Sequence, residues 1–256
     1  VVAPFLWNRG IRSIDHVIGT HPQLDHVGGL AWILAHFQVE KFWTNGAERQ
    51  EEFWRRIERA MVQRKLEATV ATEGRLISEG PACRMVVLNP QPRPESSISA
   101  KSESLNNLSV VTELVCREQR VLFTGDIERE ALTRLTHSGN SAHIALLKVP
   151  HHGAKSSLER RWLETIRPAV AVVSAGRHNP YGHPAGEVLA AYQAVETQVW
   201  RTDRDGAIWA ELDLTRQQLS MHSTREWILQ PALTSADIWS VEQDNLRRLW
   251  RRWNWT

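Results

Sequence analysis

Apolar and polar positions divide this chain into short segments of two kinds. Residues 14–20 (IDHVIGT) form a β-branched run closing on a polar turn, which predicts a short buried strand. Residues 28–38 fit a helix and residues 39–43 a second strand. In residues 48–66, Phe53, Trp54, Ile57, Met61 and Leu66 recur near helical spacing, which predicts an amphipathic helix. Residues 84–88 read as a strand, and residues 90–104, rich in Pro and Ser, as a loop. Residues 108–116 and 120–124 are two strands joined by the polar Arg117, Glu118 and Gln119, a hairpin. Beyond it, helices starting at Glu128, Ser156 and Pro184 alternate with strands over 144–149, 169–174, 198–202 and 207–214. This alternation predicts an α/β layered fold with no internal repeat. From about Ser235 the pattern turns helical again, as a separate tail.

Composition narrows the class. With 256 residues, 42% hydrophobic and 23% charged, the chain has the make-up of a soluble globular protein: one large domain, or a domain plus a tail. A formal net charge of +2 gives no whole-surface grip on a polyanion, so any basic patch must be local. The two cysteines, Cys83 and Cys116, cannot build a disulfide framework, and their isolation excludes a CxxC metal knuckle. Each lies in an apolar run and is expected as a buried free thiol; a disulfide between them is the alternative and would mark an oxidising compartment. No apolar run approaches the roughly 20 residues of a bilayer span. The opening Val1-Val2-Ala3-Pro4 has neither Met nor a basic leader and reads as the interior of a longer protein.

The candidate chemistry is concentrated after the first strand, in Thr20-His21-Pro22-Gln23-Leu24-Asp25-His26-Val27-Gly28-Gly29. A tight loop there offers His, Asp and His within six residues, and glycines let the backbone turn so that several ligands converge on one ion. The plain alternative is a surface loop with chance histidines, uncommon directly after an apolar strand.

This segment resembles the H-x-H-x-D-H loop of metallo-β-lactamase-fold hydrolases, with Gln23 at the second histidine. Three later segments resemble the ComEC branch of that superfamily: Lys148-Val149-Pro150-His151-His152-Gly153-Ala154-Lys155-Ser156, Asn179-Pro180-Tyr181-Gly182-His183-Pro184 and Arg201-Thr202-Asp203-Arg204-Asp205-Gly206. Between them, Gly125-Asp126 after the apolar Leu122-Phe123 is similar to the strand-end carboxylate that bridges two metals; alone it would equally be a helix cap. The match runs in the family's order from about Pro4 to Leu214. It implies an αββα metallo-β-lactamase sandwich over residues 1–222, with its first strands (DVGQGD and DGG) absent, and a tail over 223–256 carrying an extra C-terminal helix.

The resemblance further implies two divalent ions held by His21, Asp25, His26, Asp126 and His183, with Asp126 bridging. Asp25, His151 and His152 are the implied catalytic groups, Asp25 orienting the nucleophilic water. Lys148 and Lys155 are the candidates for backbone phosphates. Gln23, with Asn106 and Asn107 where other families place a further histidine, leaves few nitrogen ligands and puts Mn²⁺ ahead of Zn²⁺. The competing accounts are a solvated turn capped by Ser156 or Ser157 for the histidine pair, and a snorkelling strand-edge side chain for Lys148. His16, His36, His137, His143, His178 and His222 have no motif support and are expected to be structural or exposed.

The implied function is a DNA nuclease in DNA uptake during natural competence. Its partners would be one strand of the incoming duplex and the transmembrane channel of a polytopic inner-membrane parent, with the domain on the extracytoplasmic face. The alternatives are a small-molecule ester, thioester or lactam hydrolase of the same fold and a non-catalytic domain that guides DNA. In the tail, Trp239, Leu246, Leu249, Trp250 and Trp253 share helical spacing opposite Arg247, Arg248, Arg251 and Arg252. Packing on the domain, a membrane surface and DNA all fit that helix.

Overall fold

The computed structural model describes residues 2–47, 52–92, 104–137 and 143–225. The chain opens with helix α1 (Val2–Asn8), strand β1 (Ser13–Gly19), helices α2 (Leu24–Val27) and α3 (Leu30–His36), strand β2 (Gln38–Thr44), helix α4 (Glu52–Arg64) and strand β3 (Ala68–Val70). Strands β4 (Leu76–Glu79), β5 (Cys83–Asn89), β6 (Val111–Cys116) and β7 (Gln119–Phe123) follow, then helix α5 (Arg129–His137) and strand β8 (Leu146–Lys148). Helix α6 (Arg160–Ile166), strand β9 (Val170–Val173), helix α7 (Gly186–Ala194), strand β10 (Gln198–Arg201), helix α8 (Thr202–Asp205) and strands β11 (Ile208–Asp213) and β12 (Gln218–Ser223) complete it.

Two sheets lie in the middle. The smaller is parallel, in the order β1-β2-β3; the larger has seven strands in the order β10-β9-β8-β7-β6-β5-β4. Its β4–β7 half is antiparallel and its β7–β10 half parallel. Strands β11 and β12 form a separate antiparallel hairpin.

The layers follow from side-chain alternation. Val17 and Phe42 pack with Val27, Leu34, Trp54 and Ile57 of α2–α4, whereas their neighbours Ile18 and Trp43 meet Ile77, Met85, Val87 and Val110 between the sheets. Successive residues of a strand face opposite sides, so one dipeptide on each strand serves two cores. On the outer face of the large sheet, Leu122, Leu147, Ala171 and Val173 pack against Leu132 of α5, Trp162 and Ile166 of α6, and Val188 and Tyr192 of α7. The result is the expected α/β sandwich of helix, sheet, sheet and helix layers.

Most predicted elements are present; α1, α2, α8, β3, β4 and β12 are additions. β3, β4 and β12 are short or exposed strands with little alternation to mark them. α1 has too few residues for a helical stripe and is held by Trp7, whose ring stacks on Phe37 at 5.6 Å and meets Trp32 at 5.5 Å. The helix predicted over 28–38 is α3, preceded by the short α2. At Gly28, which caps the end of α2, a Cβ would stand 2.5 Å from the Leu24 carbonyl, so the turn out of α2 takes glycine.

The cysteines correct the sequence reading. Cys83 and Cys116 are directly paired across β5 and β6, with Cα atoms 4.1 Å apart, and form a disulfide. The hairpin register, invisible as an apolar run, brings the two sulfurs together. The Ser156 or Ser157 cap is likewise replaced: Glu159 accepts from the Arg161 amide at the start of α6. β12 ends at Ser223, and the predicted C-terminal helix lies outside the described residues.

Candidate metal centre

Four chain segments converge from the carboxyl ends of β1 in the smaller sheet and of β7, β8 and β9, which are neighbours in the larger one, the end at which open α/β sheets gather ligands. β1 delivers His21, Asp25 and His26; β7 delivers Gly125 and Asp126; β8 delivers Lys148 and the turn Pro150–Gly153; β9 delivers Ser174 and the loop to His183.

Backbone conformation aims the side chains. His151, His152 and Gly153 have φ of 45°, 53° and 80°, three consecutive left-handed residues. Each non-glycine there carries about 1–2 kcal/mol of steric penalty, which the surrounding packing must offset. The turn sends His152 over the sheet end, where its Nδ1–H donates to the Ser174 carbonyl at 2.7 Å and leaves Nε2 facing the cluster. Gly153 also permits contact with the next loop, since a Cβ there would lie 2.6 Å from that of Pro184.

Asp126 is the hub. It is 1% exposed. Its Oδ2 lies 3.0 Å from His26 Nε2 and 3.2 Å from His152 Nε2, and those two nitrogens are 3.3 Å apart. Asp25 Oδ2 lies 3.4 Å from His152 Nε2 and 3.7 Å from His26 Nε2. Ligand atoms of Asp25, His26, Asp126 and His152 all fall within 4.8 Å of one another. Two imidazole nitrogens and two carboxylate oxygens at this spacing are a donor set suited to a divalent cation. The buried Nε2 of His21, with no hydrogen-bond partner among the described residues, is a further donor beside them.

A hydroxyl shelf supports the hub. Ser109 Oγ accepts from the Asp126 amide at 3.0 Å and lies 3.2 Å from His21 Nδ1; Thr20 Oγ1 lies 3.2 Å from His21 Nδ1 and 3.3 Å from His26 Nδ1. Gly125, at φ 54°, lets Ser109 approach, because a Cβ there would stand 2.6 Å from the serine Cβ. Sequence reasoning missed Ser109: it sits in no motif, and only the strand crossing brings it under Asp126.

Charge follows the geometry. Burial, then the neighbouring His26, lowers His21 to about 4, so its ring is neutral near pH 7 and able to act as a ligand. Burial alone would push the Asp126 carboxyl up, but hydrogen bonds from His152 and His26 and the Lys148 charge hold it well below the usual carboxylate range. The same hydrogen bond raises His152. Burial lowers Lys148, against the pull of Asp126.

The predicted residues therefore separate. Asp25, His26 and Asp126 come together, His21 stands beside them, and His152, expected as a catalytic group, has its Nε2 inside the same cluster. His183 is outside the tight cluster. Its ring lies 5.8 Å from those of His151 and Tyr181, and Asn179 holds its backbone at both ends. Burial, then the charges of His151 and His152, lowers it. His151 Nδ1 lies 3.2 Å from Glu128, which also accepts from Ser156. Lys148 donates to Gly125 O at 2.7 Å and to Asp126 Oδ1 at 3.1 Å. Lys155 is exposed and pairs with Glu187 at 2.9 Å. Gln23 donates to Asn106 at 2.7 Å. Away from the centre, His16 accepts from Trp43, and His36 and His137 bond carbonyls one helical turn back.

The model of the Metallo-beta-lactamase superfamily matches residues 2–81. ComE operon protein 3 of Bacillus subtilis (strain 168) is 30% identical over 217 residues, covering 81% of this chain and 26% of the relative. Competence protein ComA of Neisseria gonorrhoeae is 27% identical over 210 residues, covering 81% and 26%. The chain thus spans about a quarter of the length of these curated relatives. Igni18, described as a metallo hydrolase of Ignicoccus hospitalis KIN4/I, superposes with a TM-score of 0.48 at 15% identity, covering 82% of this chain and 80% of that one.

Proposed function

This chain carries the metallo-β-lactamase-like domain of a ComEC-type competence protein, and from that premise we propose that it is a metal-dependent phosphodiesterase cutting DNA during uptake. The observation that carries the hydrolytic half is the convergence of Asp25, His26, Asp126 and His152 on one point, with the central carboxylate buried. The likeness to competence proteins supports DNA as the substrate.

The residues present suit a divalent cation, and we assign its protein ligands to Asp25, His26, Asp126 and His152, with His21 adjoining. Such a cation, when bound, polarises a phosphoryl oxygen and eases the ionisation of water. Its oxygen-containing donor set keeps Mn²⁺ ahead of Zn²⁺ in this proposal.

The chain's own groups do the rest. The Asp25 side chain is 61% exposed at the mouth, which suits it to orient water and accept its proton. His151, steadied by Glu128, stands at the rim as the group to protonate the leaving oxygen. Lys148 holds Asp126 from behind, and His183 with Tyr181 lines the approach. Lys155, turned to Glu187, has no part in this assignment.

We place the domain on the extracytoplasmic face of a membrane-embedded parent, contacting the channel portion and one strand of DNA. The Cys83–Cys116 disulfide supports that side, since such bonds persist in oxidising compartments. Among the described residues no helix is long and apolar enough to cross a membrane.

The test is degradation of plasmid and single-stranded DNA by the purified chain with Mn²⁺, Zn²⁺ or EDTA, beside a chromogenic lactam. Metal-dependent DNA cleavage that disappears in His26→Ala and Asp126→Ala is expected. Turnover of the lactam with DNA left intact would favour a small-molecule hydrolase, and DNA binding without cleavage a guiding domain.

A further inference from the structure

The two oxygens of Asp126 serve different partners. Oδ2 faces the cluster of His26, His152 and Asp25. Oδ1 is taken by the Lys148 ammonium at 3.1 Å, and the same nitrogen is pinned by the Gly125 carbonyl at 2.7 Å. A carboxylate that bridges two cations with one oxygen on each needs both oxygens free. Here one of them already has a fixed positive charge.

The side on which a second ion would sit is poor in other ligands. Gln23 donates its NH2 group to Asn106 at 2.7 Å and offers only a neutral amide oxygen, and Asn107 spends its carbonyl oxygen on the Glu128 amide at 2.8 Å. His21 remains as one nitrogen, outside the group of ligand atoms that lie within 4.8 Å of one another. The charge count points the same way. The two carboxylates of the cluster offset one divalent ion. Lys148 adds a positive charge beyond that balance, and a second divalent ion would add two more with no further carboxylate in the cluster to meet them.

We propose that this site holds a single divalent ion, on Asp25, His26, Asp126 and His152, and that the Lys148 ammonium takes the place of a second. Lys148 is then a positioning residue: it fixes Asp126 and brings its ammonium group to the carboxylate oxygen that a second ion would otherwise take. This rests on the metal-site reading above and departs from the paired ions expected from the sequence. It also gives Lys148 a role distinct from direct phosphate binding.

The experiment is metal counting on the whole chain, without substrate. Protein stripped with chelator, reloaded with excess Mn²⁺ and desalted is assayed for metal, and its electron paramagnetic resonance spectrum is recorded during titration. One equivalent per chain and a six-line mononuclear spectrum are expected. Lys148→Ala, which frees Oδ1, should take up a second, weaker equivalent, while Lys148→Arg should stay at one. Two tight equivalents with an exchange-coupled spectrum in the unsubstituted chain would overturn the proposal and leave the metal-dependent reading standing. No bound ion would overturn both. One equivalent in Lys148→Ala, with circular dichroism showing the fold retained, would remove Lys148 from the explanation. If that variant fails to fold, the spectrum of the unsubstituted chain still decides the ion count.

Discussion

The Nε2 atom of His152 lies 3.2 Å from Oδ2 of Asp126, on a backbone turn whose φ of 53° an L-residue rarely adopts. The loop accepts that strain and delivers a nitrogen to the carboxylate that His26 and Lys148 also approach. Removing Asp126 takes one shared partner from all three.

Asp126→Ala should lose both function and stability. Loss of several kcal/mol of transition-state stabilisation corresponds to roughly 10³-fold or more in turnover. Leaving Lys148 without its carboxylate should destabilise the metal-free fold by about 3–5 kcal/mol. Urea unfolding of Asp126→Ala beside Asp126→Ala/Lys148→Met checks this. The double variant should recover much of the stability and none of the activity.

Ser109→Ala should weaken metal binding without removing a ligand. The serine accepts from the Asp126 amide and touches His21, so its loss leaves a buried N–H unpaired. About 1–3 kcal/mol of stability and a roughly 10–100-fold weaker metal affinity are expected. Calorimetric titration with Mn²⁺ reads the second effect; unchanged affinity would make the shelf merely structural.

Gly153→Ala should disturb the site from a distance. Its Cβ would meet that of Pro184 at 2.6 Å, and the left-handed φ of 80° opposes any side chain. Backbone strain of about 1–2 kcal/mol and overpacking of about 1–3 kcal/mol should lower the melting temperature and the metal affinity together. Gly186→Ala, where nothing lies within 4 Å of the added carbon, is the control.

The disulfide should be structural. Purified without reductant, the denatured chain should show no free thiol, and two after reduction. Cys83→Ser/Cys116→Ser should lose about 2–4 kcal/mol of unfolding free energy while keeping its metal stoichiometry.

One pH dependence lies in the turn after β10. The Arg201 hydrogen bond, working against burial, lowers the Asp203 carboxyl from its ordinary 3.8. A carboxyl lowered on folding stabilises the native state above its unfolded value, and that contribution is lost as pH falls through the folded value. The stability gap between the unsubstituted chain and Arg201→Met should therefore be full above about pH 4 and shrink at lower pH. Urea unfolding at several pH values measures it; a gap that widened on acidification would contradict the sign.

The amino-acid sequence by itself determined the layers and the strand-end motifs, because both are local. Alternation in Val17-Ile18 and Phe42-Trp43 sets which side chain meets helices and which meets the other sheet. His21, Asp25 and His26 follow one strand so closely that a short loop must gather them, and Asp126 ends another. Only the tertiary structure decided which distant groups complete the cluster. His152 joins the cluster, and His183 lies outside it, because three left-handed residues turn His152 inward; Lys148 reaches Asp126 because β7 and β8 run side by side; Ser109 supports the hub because Gly125 has no side chain to keep it away. Cys83 meets Cys116 through hairpin register. These are contacts between strands, set by pairing and backbone dihedrals, and no local pattern along the chain encodes them.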